Sequence, residues 1–379
     1  MNTEAEYDVV IIGGGLAGLS LSIQLNNAGY KVAVLEKDQY PRHKVCGEYV
    51  SMESMAFLER TGVAISLMKL PVINTLQLSD VKGRVLNTPL PQGGFGISRH
   101  KLDATLAMIA QRKGVALFTN TKAEDVRFED DVFSVKAGTK VFTAKVVCGC
   151  WGKRSNVDNK LERNFIKEQK KALNNFIGVK YHIKHPWPEH LIALHNFKGG
   201  YCGISRVEND TCCLCYMTTA KNLQVSGNDI KQMEQKILMQ NPYLKEIFGH
   251  AVFMYEQPLT ISQISFQAKE AVQGNVLMLG DAAGMISPLC GNGMSMAFHS
   301  SVMAYEAIDS FLKQRTTREQ MEGQYAERWH KQFSKRLGMG RFIQSRFGKE
   351  KSTSFFLGAM KLFPFLQKPM IKAATGQTF

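Results

Sequence analysis

Four side chains that could bind ligands or transfer protons lie close together within residues 41–51. Cys46 follows the cations Arg42 and Lys44, and a thiol beside fixed positive charge has a lowered pKa and becomes a nucleophile. Glu48 could donate a proton if burial raised the pKa of its carboxyl group. Two plainer interpretations stay open, because a free cysteine is often a small buried apolar residue and Glu48 could pair with Arg42 or Lys44. Cys46 and Glu48 are the candidate catalytic residues.

A glycine-rich turn near the start of the chain has the spacing of a phosphate-binding site. Residues 9–12 predict a buried strand, and GGGLAGLS follows at residues 13–20, ahead of an apolar helical pattern. Gly13 permits the tight turn, Gly15 lets the backbone approach a pyrophosphate, and Gly18 lets the helix pack closely on the strand. The unpaired N–H groups of the helix N-terminus then favour an anion.

The next predicted strand supplies an acid at the matching position. It follows a helix stop at Gly29 and ends at Glu36, whose carboxylate could accept hydrogen bonds from ribose hydroxyl groups. Strand, turn, helix, strand and acid together predict a dinucleotide site, which includes Gly13, Gly15, Ala17, Gly18, Glu36 and Lys37.

A second motif, far along the chain, indicates which dinucleotide is bound. Residues 274–279 read as a turn and a buried strand, which run into GDAAGMISPLCGNGMSMA and a helix. This segment resembles the second FAD motif of the glutathione-reductase-type flavoproteins, a superfamily that includes aromatic hydroxylases, geranylgeranyl reductases and halogenases. The resemblance implies that Asp281 binds the ribityl chain of FAD and that a helix start at the pyrimidine end of the flavin stabilises its reduced, anionic form. The residues implied at this helix start are Pro288, Gly291, Asn292, Gly293 and Met294.

Three further positions are assigned to the cofactor by the same resemblance. Arg99 opens a predicted helix and is implied to reach the FAD phosphates, although a solvated arginine at a helix start would look the same. Val126 matches a position whose backbone faces adenine, although an ordinary strand valine would fit as well. Arg42, in the segment before Cys46, completes the cofactor-binding set.

A third superfamily motif, linked to both FAD and NADPH, is only partly present. Gly152 and Ser155 match it, but Trp151 stands where the family has Asp and Asp158 where it has Arg. The sequence contains no second G-x-G-x-x-G, so NAD(P)H is an electron donor without a dedicated site. An external flavin-reducing partner is the alternative.

The resemblance implies a Rossmann-like α/β FAD-binding domain with p-hydroxybenzoate-hydroxylase-like architecture. We expect it to be discontinuous, comprising residues 1–70, 99–160 and 267–330, with a sheet-rich α+β substrate domain at 71–98 and 161–266 and a helical segment at 331–379. Within the substrate domain, strands are predicted at 176–183, 191–197, 200–206 and 211–218. Residues 199–205 resemble the strand that faces the flavin across the substrate pocket.

The implied function is FAD-dependent oxidation or reduction of an apolar or aromatic small molecule. Monooxygenation of an aromatic, polyketide or lipid-like substrate is favoured. The segment PRHKVCG resembles the geranylgeranyl-reductase subgroup, so saturation of isoprenoid double bonds is the alternative. A non-catalytic FAD protein associated with a membrane or RNA is a third hypothesis.

Composition agrees with a globular enzyme of 379 residues, of which 44% are apolar and 21% charged. No apolar run approaches the roughly 20 residues that span a bilayer, and no leader pattern precedes the first strand, which predicts a cytoplasmic protein. The eight cysteines lack paired metal-type spacing and are expected to be reduced thiols. The spacing of His182, His185, His190 and His195 does not favour a metal site, so none is predicted.

The formal net charge of +14 is concentrated partly in residues 336–372. A helix there would place Phe356, Met360 and Phe363 on one face, and basic residues beside aromatic ones suit the inner face of a membrane. A helix packed on its own domain is the alternative, and without an RNA-binding motif nucleic acid is not favoured. The basic residues are Arg336, Arg341, Arg346, Lys349, Lys351, Lys361, Lys368 and Lys372, interleaved with Phe342, Phe347, Phe355, Leu357, Leu362 and Phe365.

Overall fold

Two sheets organise the computed structural model, which describes residues 4–169, 176–346 and 348–363, together with 365, 367, 376, 378 and 379. In this part of the chain the strands are β1 Glu4–Ile12, β2 Val32–Leu35, β3 Tyr49–Ser51, β4 Val72–Ser79, β5 Val85–Gly96, β6 Ala116–Phe118, β7 Asp125–Glu129, β8 Val132–Ala137, β9 Lys140–Gly149, β10 Phe176–Lys184, β11 Leu191–Phe197, β12 Gly200–Arg206, β13 Cys212–Thr219, β14 Val252–Phe253, β15 Leu259–Ile264, β16 Val272–Gln273 and β17 Val276–Met278. The α-helices are α1 Leu16–Asn27, α2 Met55–Thr61, α3 Arg99–Arg112, α4 Asn156–Lys160, α5 Asn164–Gln169, α6 Ala220–Val225, α7 Ile230–Lys236, α8 Pro242–His250, α9 Gly293–Leu312, α10 Arg318–Arg346 and α11 Glu350–Leu362.

The first sheet has the strand order β16-β17-β9-β1-β2-β6, with the β7–β8 hairpin paired to β9. From β17 to β6 the neighbouring strands are parallel. Helix α1 packs against α3 and α9 as well as against β1 and β2. Every residue of β2 is buried, as expected for a parallel strand covered on both faces. This layered sheet confirms the predicted α/β fold class.

The second sheet has the order β14-β10-β13-β12-β11-β4-β5-β3, with β15 also paired to β10. Its pairs are antiparallel except for β4 with β11. The four strands predicted between residues 176 and 218 are all present, each within one residue of its expected bounds. Buried residues of α7 and α8, including Met233, Leu244 and Ile247, join the core of this sheet.

The strands of the two sheets largely follow the expected division of the chain, whose domain boundaries stay a prediction. Strand β3 differs, because it pairs with β5 in the second sheet although it lies within the segment assigned to FAD binding. Helix α10 runs continuously across residue 330, where a boundary was expected.

The C-terminal helix is partly buried. On α11, Leu357 and Met360 are buried in a cluster with Leu194, Tyr201 and Met217 of the second sheet. Phe363 follows the last residue of α11, so it does not extend the face predicted for Phe356 and Met360. Phe347, Lys368 and Lys372 lie outside the described residues. None of the helices in the described ranges combines the length and the apolar character that crossing a membrane requires.

Candidate functional site

A cavity of about 1060 Å³ lies between the two sheets and brings most of the predicted site residues together. Its walls include residues from the turn after β1, the end of β2, the loop before β3, the start of α3 and the start of α9. The predicted residues that line it are Gly13, Gly15, Ala17, Glu36, Lys37, Cys46, Glu48, Arg99, Asp281, Pro288, Gly291, Asn292, Gly293 and Met294. Gly18, Arg42 and Val126 do not belong to its lining.

Each of the three glycines around the first turn is required for a different local reason. Gly13 has φ +107°, and a Cβ there would lie 2.5 Å from the carbonyl oxygen of Cys150. A Cβ on Gly18 would lie 2.1 Å from the carbonyl oxygen of Gly13, so this glycine allows the close packing of α1 on β1. A Cβ on Gly15 would have no protein atom within 4 Å. Gly15 is also the N-cap of α1, and no side chain caps this helix, so its N-terminus is open toward the cavity.

Glu36 is held by a bidentate ion pair with Arg42. The two guanidinium nitrogens lie 2.5 and 2.8 Å from the two carboxylate oxygens, and the Gly14 N–H donates to Glu36 at 2.8 Å. Burial opposes ionisation, but the hydrogen bond and charge of Arg42 keep the pKa of Glu36 below its ordinary value. Arg42 also donates to the carbonyl oxygen of Gly14 at 3.0 Å. Arg42 therefore links Glu36 to the backbone of the glycine turn. A ribose hydroxyl that bonded to Glu36 would compete with Arg42 for its oxygens.

Arg99 lies at the N-terminus of α3, where Ser98 is the N-cap. Its guanidinium makes two hydrogen bonds to the fully buried Asp103, at 2.7 and 2.8 Å. This pairing uses one edge of the guanidinium and leaves N–H groups on the other for an anion in the cavity. The implied phosphate role of Arg99 stays a prediction that this position allows.

Sequence reasoning missed Lys44 as a cavity cation, although it stands beside Cys46 in the same motif. Lys44 lines the cavity among Arg42, Arg99, Glu36 and Asp103. Burial and the nearby Arg99 lower the pKa of its ammonium group to about 8. An anion bound nearby would stabilise the charged form.

We expect dinucleotide binding to weaken as the pH rises through about 8, because Lys44 must then take up a proton to hold a phosphate. Below that pH the ammonium is already charged, so the affinity should change little. Lys44→Met should lower affinity at neutral pH about tenfold and flatten this part of the pH profile. Isothermal titration with FAD between roughly pH 6 and 9 measures both effects.

The exposed Lys122, which also lines the cavity, provides the matched control. Lys122→Met should leave the slope above pH 8 intact. A Lys44→Met protein that keeps the slope would assign the titration to another group, such as Lys153 or Lys269, whose pKa values are also lowered to about 8, mainly by burial.

At the other end of the cavity, Asp281 lies in the 3₁₀ turn Gly280–Ala282, directly after β17. Burial raises the pKa of its carboxyl group, against the opposing charges of Lys269, Arg99 and Lys44. Gly291 has φ +62° and faces the ring of Tyr49. Helix α9 begins two residues later, and its N-cap Asn292 makes no capping hydrogen bond. A second helix N-terminus thus meets the cavity, and its expected position at the flavin ring stays a prediction.

The partly matched third motif has a structural role that sequence reasoning missed. Asp158 accepts hydrogen bonds from Trp151 at 3.0 Å and from the backbone N–H of Ser155 at 2.7 Å. Arg163, which is fully buried, pairs with Asp158 at 3.0 Å and donates to the carbonyl oxygens of Ala282 and Glu270 at 2.8 Å each. Lys269 similarly donates to the carbonyl oxygens of Lys153 and Asp281, at 2.7 and 2.8 Å. Arg163 and Lys269 fix the turn that carries Asp281.

Val126 lies on strand β7, as expected, but it does not line the cavity, and its position beside adenine stays a prediction. It is buried in β7 and pairs with Val135 of β8, while Thr121, Lys122 and Ala123 line the cavity instead. The strand begins only at Asp125, so the segment before it is the one that passes the cavity.

The chemistry expected of Cys46 and Glu48 needs a lowered thiol pKa and a raised carboxyl pKa, and both expectations are wrong. Burial raises the pKa of the Cys46 thiol, which stays protonated instead of being activated by Arg42 and Lys44. Glu48 is fully buried, yet a hydrogen bond with His182 and the charge of Lys180 outweigh desolvation and lower its pKa. Glu48 is therefore a carboxylate that pairs with Lys180 and His182 of β10, and not a proton donor with a raised pKa.

The remaining wall of the cavity is apolar and comes from the second sheet. Tyr201, Gly203 and Ile204 of β12 line it, which is the strand that the resemblance placed opposite the flavin. Leu194, Met217 and Ile264 lie beside them. All eight cysteines are free thiols, and Cys46 and Cys215 lie at this end.

The sequence of the chain is similar to a known family and to several characterised proteins. A family model described as FAD binding domain matches residues 6–334. The chain is 27% identical over 372 residues to conditioned medium factor receptor 1 of Dictyostelium discoideum, covering 89% of this chain and 70% of that protein. It is 24% identical over 330 residues to menaquinone reductase of Mycobacterium tuberculosis, covering 82% and 78%. It is also 24% identical over 313 residues to Monooxygenase 1 of Arabidopsis thaliana, covering 79% and 77%.

Among solved structures, that of the flavin-dependent brominase Bmp2 matches with a TM-score of 0.81 at 19% identity. The match covers 99% of this chain and 94% of the brominase chain. At this identity the likeness shows a shared fold.

Proposed function

The chain belongs to the FAD-binding-domain family, and from that premise we propose that it is a FAD-dependent monooxygenase acting on an apolar or aromatic small molecule. FAD is its cofactor. The observation that carries the proposal is one cavity that joins both helix N-termini to an apolar wall.

The residues present fit an extended dinucleotide. The open space at Gly15 and the uncapped start of α1 suit the pyrophosphate, with Lys44 and Arg99 as nearby cations. Asp281 would hold the ribityl chain, and the start of α9 would lie at the pyrimidine end of the flavin. The glycine turn after β1 and the glycine turn before α9 therefore suit opposite ends of one FAD molecule.

Reduced FAD would supply the electrons with which molecular oxygen is activated. The chain would position the substrate with Leu194, Tyr201 and Met217 and keep water away from the reacting atoms. These three residues belong to an apolar cluster that also contains Leu357 and Met360 of α11, so α11 helps to close this wall. Shielding of this kind is what oxygen chemistry on a flavin requires, because water diverts it to hydrogen peroxide.

The test reduces the bound flavin without oxygen, then mixes the protein with air and candidate phenolic or isoprenoid lipids. A substrate that gains one oxygen atom, with oxygen consumed in step, supports monooxygenation. A substrate that gains two hydrogen atoms, or oxygen uptake that yields only peroxide with every candidate, counts against it.

Reduction of an isoprenoid chain is the second candidate, and the position of Cys46 favours it. The loop that carries Cys46 matches the reductase-type motif, and the thiol lies at the cavity, half-buried and protonated. A protonated thiol beside the flavin could serve saturation of a double bond, which needs a proton as well as a hydride. The relative named menaquinone reductase is consistent with this candidate.

For electrons, we propose an external donor. The family links the segment at residues 150–158 to NADPH. In this chain Trp151 and Arg163 both bond to Asp158, and Arg163 also holds the turn of Asp281, so the segment has a structural role. Reduction by a partner protein or by NAD(P)H arriving transiently at the cavity would suit this arrangement.

We also propose that the C-terminal surface binds an anionic membrane. Phe355 is 80% exposed, Leu362 76% and Phe363 49%, and the exposed cations Lys349 and Lys361 flank them. Apolar side chains and lysines that project together suit the headgroup region of anionic lipid. Arg336, counted with this charge in the sequence, is instead half-buried beside Phe333 and Glu53.

Replacing Phe355, Leu362 and Phe363 by serine should weaken binding to phosphatidylserine-containing vesicles by at least roughly a hundredfold, because each exposed apolar side chain adds about 1–2 kcal/mol on insertion. Vesicle co-sedimentation measures the effect. A control carries serine at Leu67, Val225 and Val252, which are 80%, 64% and 67% exposed elsewhere on the surface. Equal binding by both triple variants, or by neutral and anionic vesicles, would refute a membrane surface at α11.

A further inference from the structure

Behind the Cys46 loop, a chain of hydrogen bonds links Tyr255, His182 and Glu48. The Tyr255 hydroxyl lies 2.6 Å from His182 Nδ1, and His182 Nε2 lies 2.6 Å from a Glu48 oxygen. Glu48 is fully buried, His182 nearly so, and Tyr255 half-buried. The chain therefore runs from near the surface to the loop that lines the cavity.

The second carboxylate oxygen of Glu48 fixes this arrangement in place. It accepts from the ammonium of Lys180 and, at 2.7 Å, from the backbone N–H of Arg99. Lys180 also donates to the carbonyl oxygen of Lys44 at 3.1 Å. Glu48 is thereby paired with one permanent cation, and its other oxygen is left to His182 alone.

The geometry allows His182 to gain or lose a proton when only the hydrogen of the Tyr255 hydroxyl turns. When neutral, the imidazole donates from Nε2 to Glu48 and accepts at Nδ1 from the Tyr255 hydroxyl. When charged, it donates from both nitrogens, and the Tyr255 oxygen becomes the acceptor. The Tyr255 hydroxyl hydrogen then turns away from His182, and the half-buried position of Tyr255 lets solvent accept it, so neither state leaves a buried group unsatisfied.

The other titratable groups around His182 each keep one protonation state. The rings of His43 and Tyr255 lie 5.2 and 5.8 Å from its ring, and His100 stacks on His43. Burial, together with the charge of the nearby Lys180, lowers the pKa of His43 to about 4, so this imidazole stays neutral. Burial raises the pKa of the Tyr255 hydroxyl to about 12, and likewise raises those of the Cys46 and Cys213 thiols.

The cations near His182 keep their charge. Lys180 keeps its proton, since Cys213 and Glu48 outweigh burial and raise its pKa, and Arg99 stays paired with Asp103. The oxygen, nitrogen and sulfur atoms of Glu48, His182 and Cys213 lie within 4.8 Å of one another, as in a metal site. The Lys180 ammonium already supplies the positive charge that a metal would bring.

We propose that His182 is a proton store coupled to the redox state of the bound flavin. When FAD takes two electrons and one proton from an external reductant, the cavity gains one negative charge. A proton from water then adds to His182 Nδ1, through the Tyr255 end of the chain, and compensates that charge. On reoxidation the same proton returns to water or is passed to the reaction. The proposal rests on FAD binding, and holds for a monooxygenase or a reductase alike.

The test titrates the FAD-loaded protein with dithionite without oxygen and records proton uptake with an indicator dye across roughly pH 5–8, where imidazoles change charge. We expect the wild type to take up more protons per flavin than His182→Gln, with a difference of up to about one proton. Glutamine keeps an N–H donor for Glu48 but cannot be protonated. His195→Gln is the matched control, because His195 is also buried in this sheet, bonded to Ser79 at 2.9 Å and stacked on Tyr243.

Equal uptake by the wild type and His182→Gln would overturn the proposal. If His182→Gln does not fold, histidine ¹⁵N spectra of the oxidised and reduced wild type replace it. One imidazole should change from neutral to charged on reduction, and no change in any imidazole would refute the store. Neither measurement needs a substrate, so failure of the monooxygenase proposal would show separately, as a flavin that reduces and reoxidises without product.

Discussion

Gly15→Val should abolish tight FAD binding and leave the fold intact. No protein atom lies within 4 Å of a Cβ at this position, so the substitution meets no neighbour in the protein itself. The valine would instead fill the space between the N-terminus of α1 and the cavity, where the pyrophosphate must approach the backbone. We expect affinity to fall roughly 100-fold or more, since steric exclusion and lost phosphate contacts together exceed about 3 kcal/mol.

Fluorescence titration with FAD and thermal unfolding of the apo-protein check the two halves of this expectation. Gly323→Val is the matched control, because Gly323 also has no neighbour within 4 Å but lies exposed on α10, away from the cavity. It should bind FAD as the wild type does. Unchanged FAD affinity in Gly15→Val would place the pyrophosphate elsewhere.

Arg163→Leu should destabilise the protein by about 3–5 kcal/mol, because it leaves the buried Asp158 carboxylate without its cation. The carbonyl oxygens of Ala282 and Glu270 lose their donor as well. Both losses fall on the turn that carries Asp281, so FAD affinity should drop together with stability. Urea denaturation of the apo-protein measures the first effect, and FAD titration at low temperature measures the second.

Lys145→Leu is the comparison for this change, since Lys145 forms an exposed ion pair with Asp8 at 3.0 Å. Exposed pairs contribute at most about 1 kcal/mol. An Arg163→Leu protein no less stable than Lys145→Leu would mean that the Asp158 pair is not needed to hold the turn.

Local patterns in the sequence predicted the parts of the site that depend on backbone geometry. Gly13, Gly15 and Gly18 are each required by a turn, an open approach or a close helix contact within a few residues. The four strands between residues 176 and 218 were likewise predicted from apolar and turn residues. Such features are encoded over short stretches of chain, where a single sequence is informative.

The charged partners of Glu48 and Arg163 could not be predicted from local sequence patterns, because they come from distant parts of the chain. Glu48 meets Lys180 and His182, which are 132 and 134 positions away. Arg163 reaches the carbonyl oxygen of Ala282, 119 positions away. In sequence, the nearby Arg42 and Lys44 suggested a low pKa for the Cys46 thiol, and Glu48 was a proton donor only if burial raised its pKa. In the structure, burial raises the thiol pKa, and His182 and Lys180 lower the carboxyl pKa.

One signal in the sequence could have identified these partners. Lys180 and His182 alternate with Val179, Tyr181 and Ile183 along an otherwise apolar predicted strand. Period-two spacing places both polar side chains on the same face, together with Gly178, which lines the cavity. A charged residue at such a position needs a buried counter-charge, and the carboxylate of Glu48 in the 41–51 motif could have been assigned to it.

A crystal structure of the chain with FAD would decide whether the two helix N-termini hold one cofactor. We expect one FAD per chain, with its pyrophosphate at Gly15 and the start of α1, and its flavin ring between the start of α9 and the apolar wall at Tyr201. Density for the flavin ring away from α9, or FAD bound at only one of the two helix starts, would contradict this expectation.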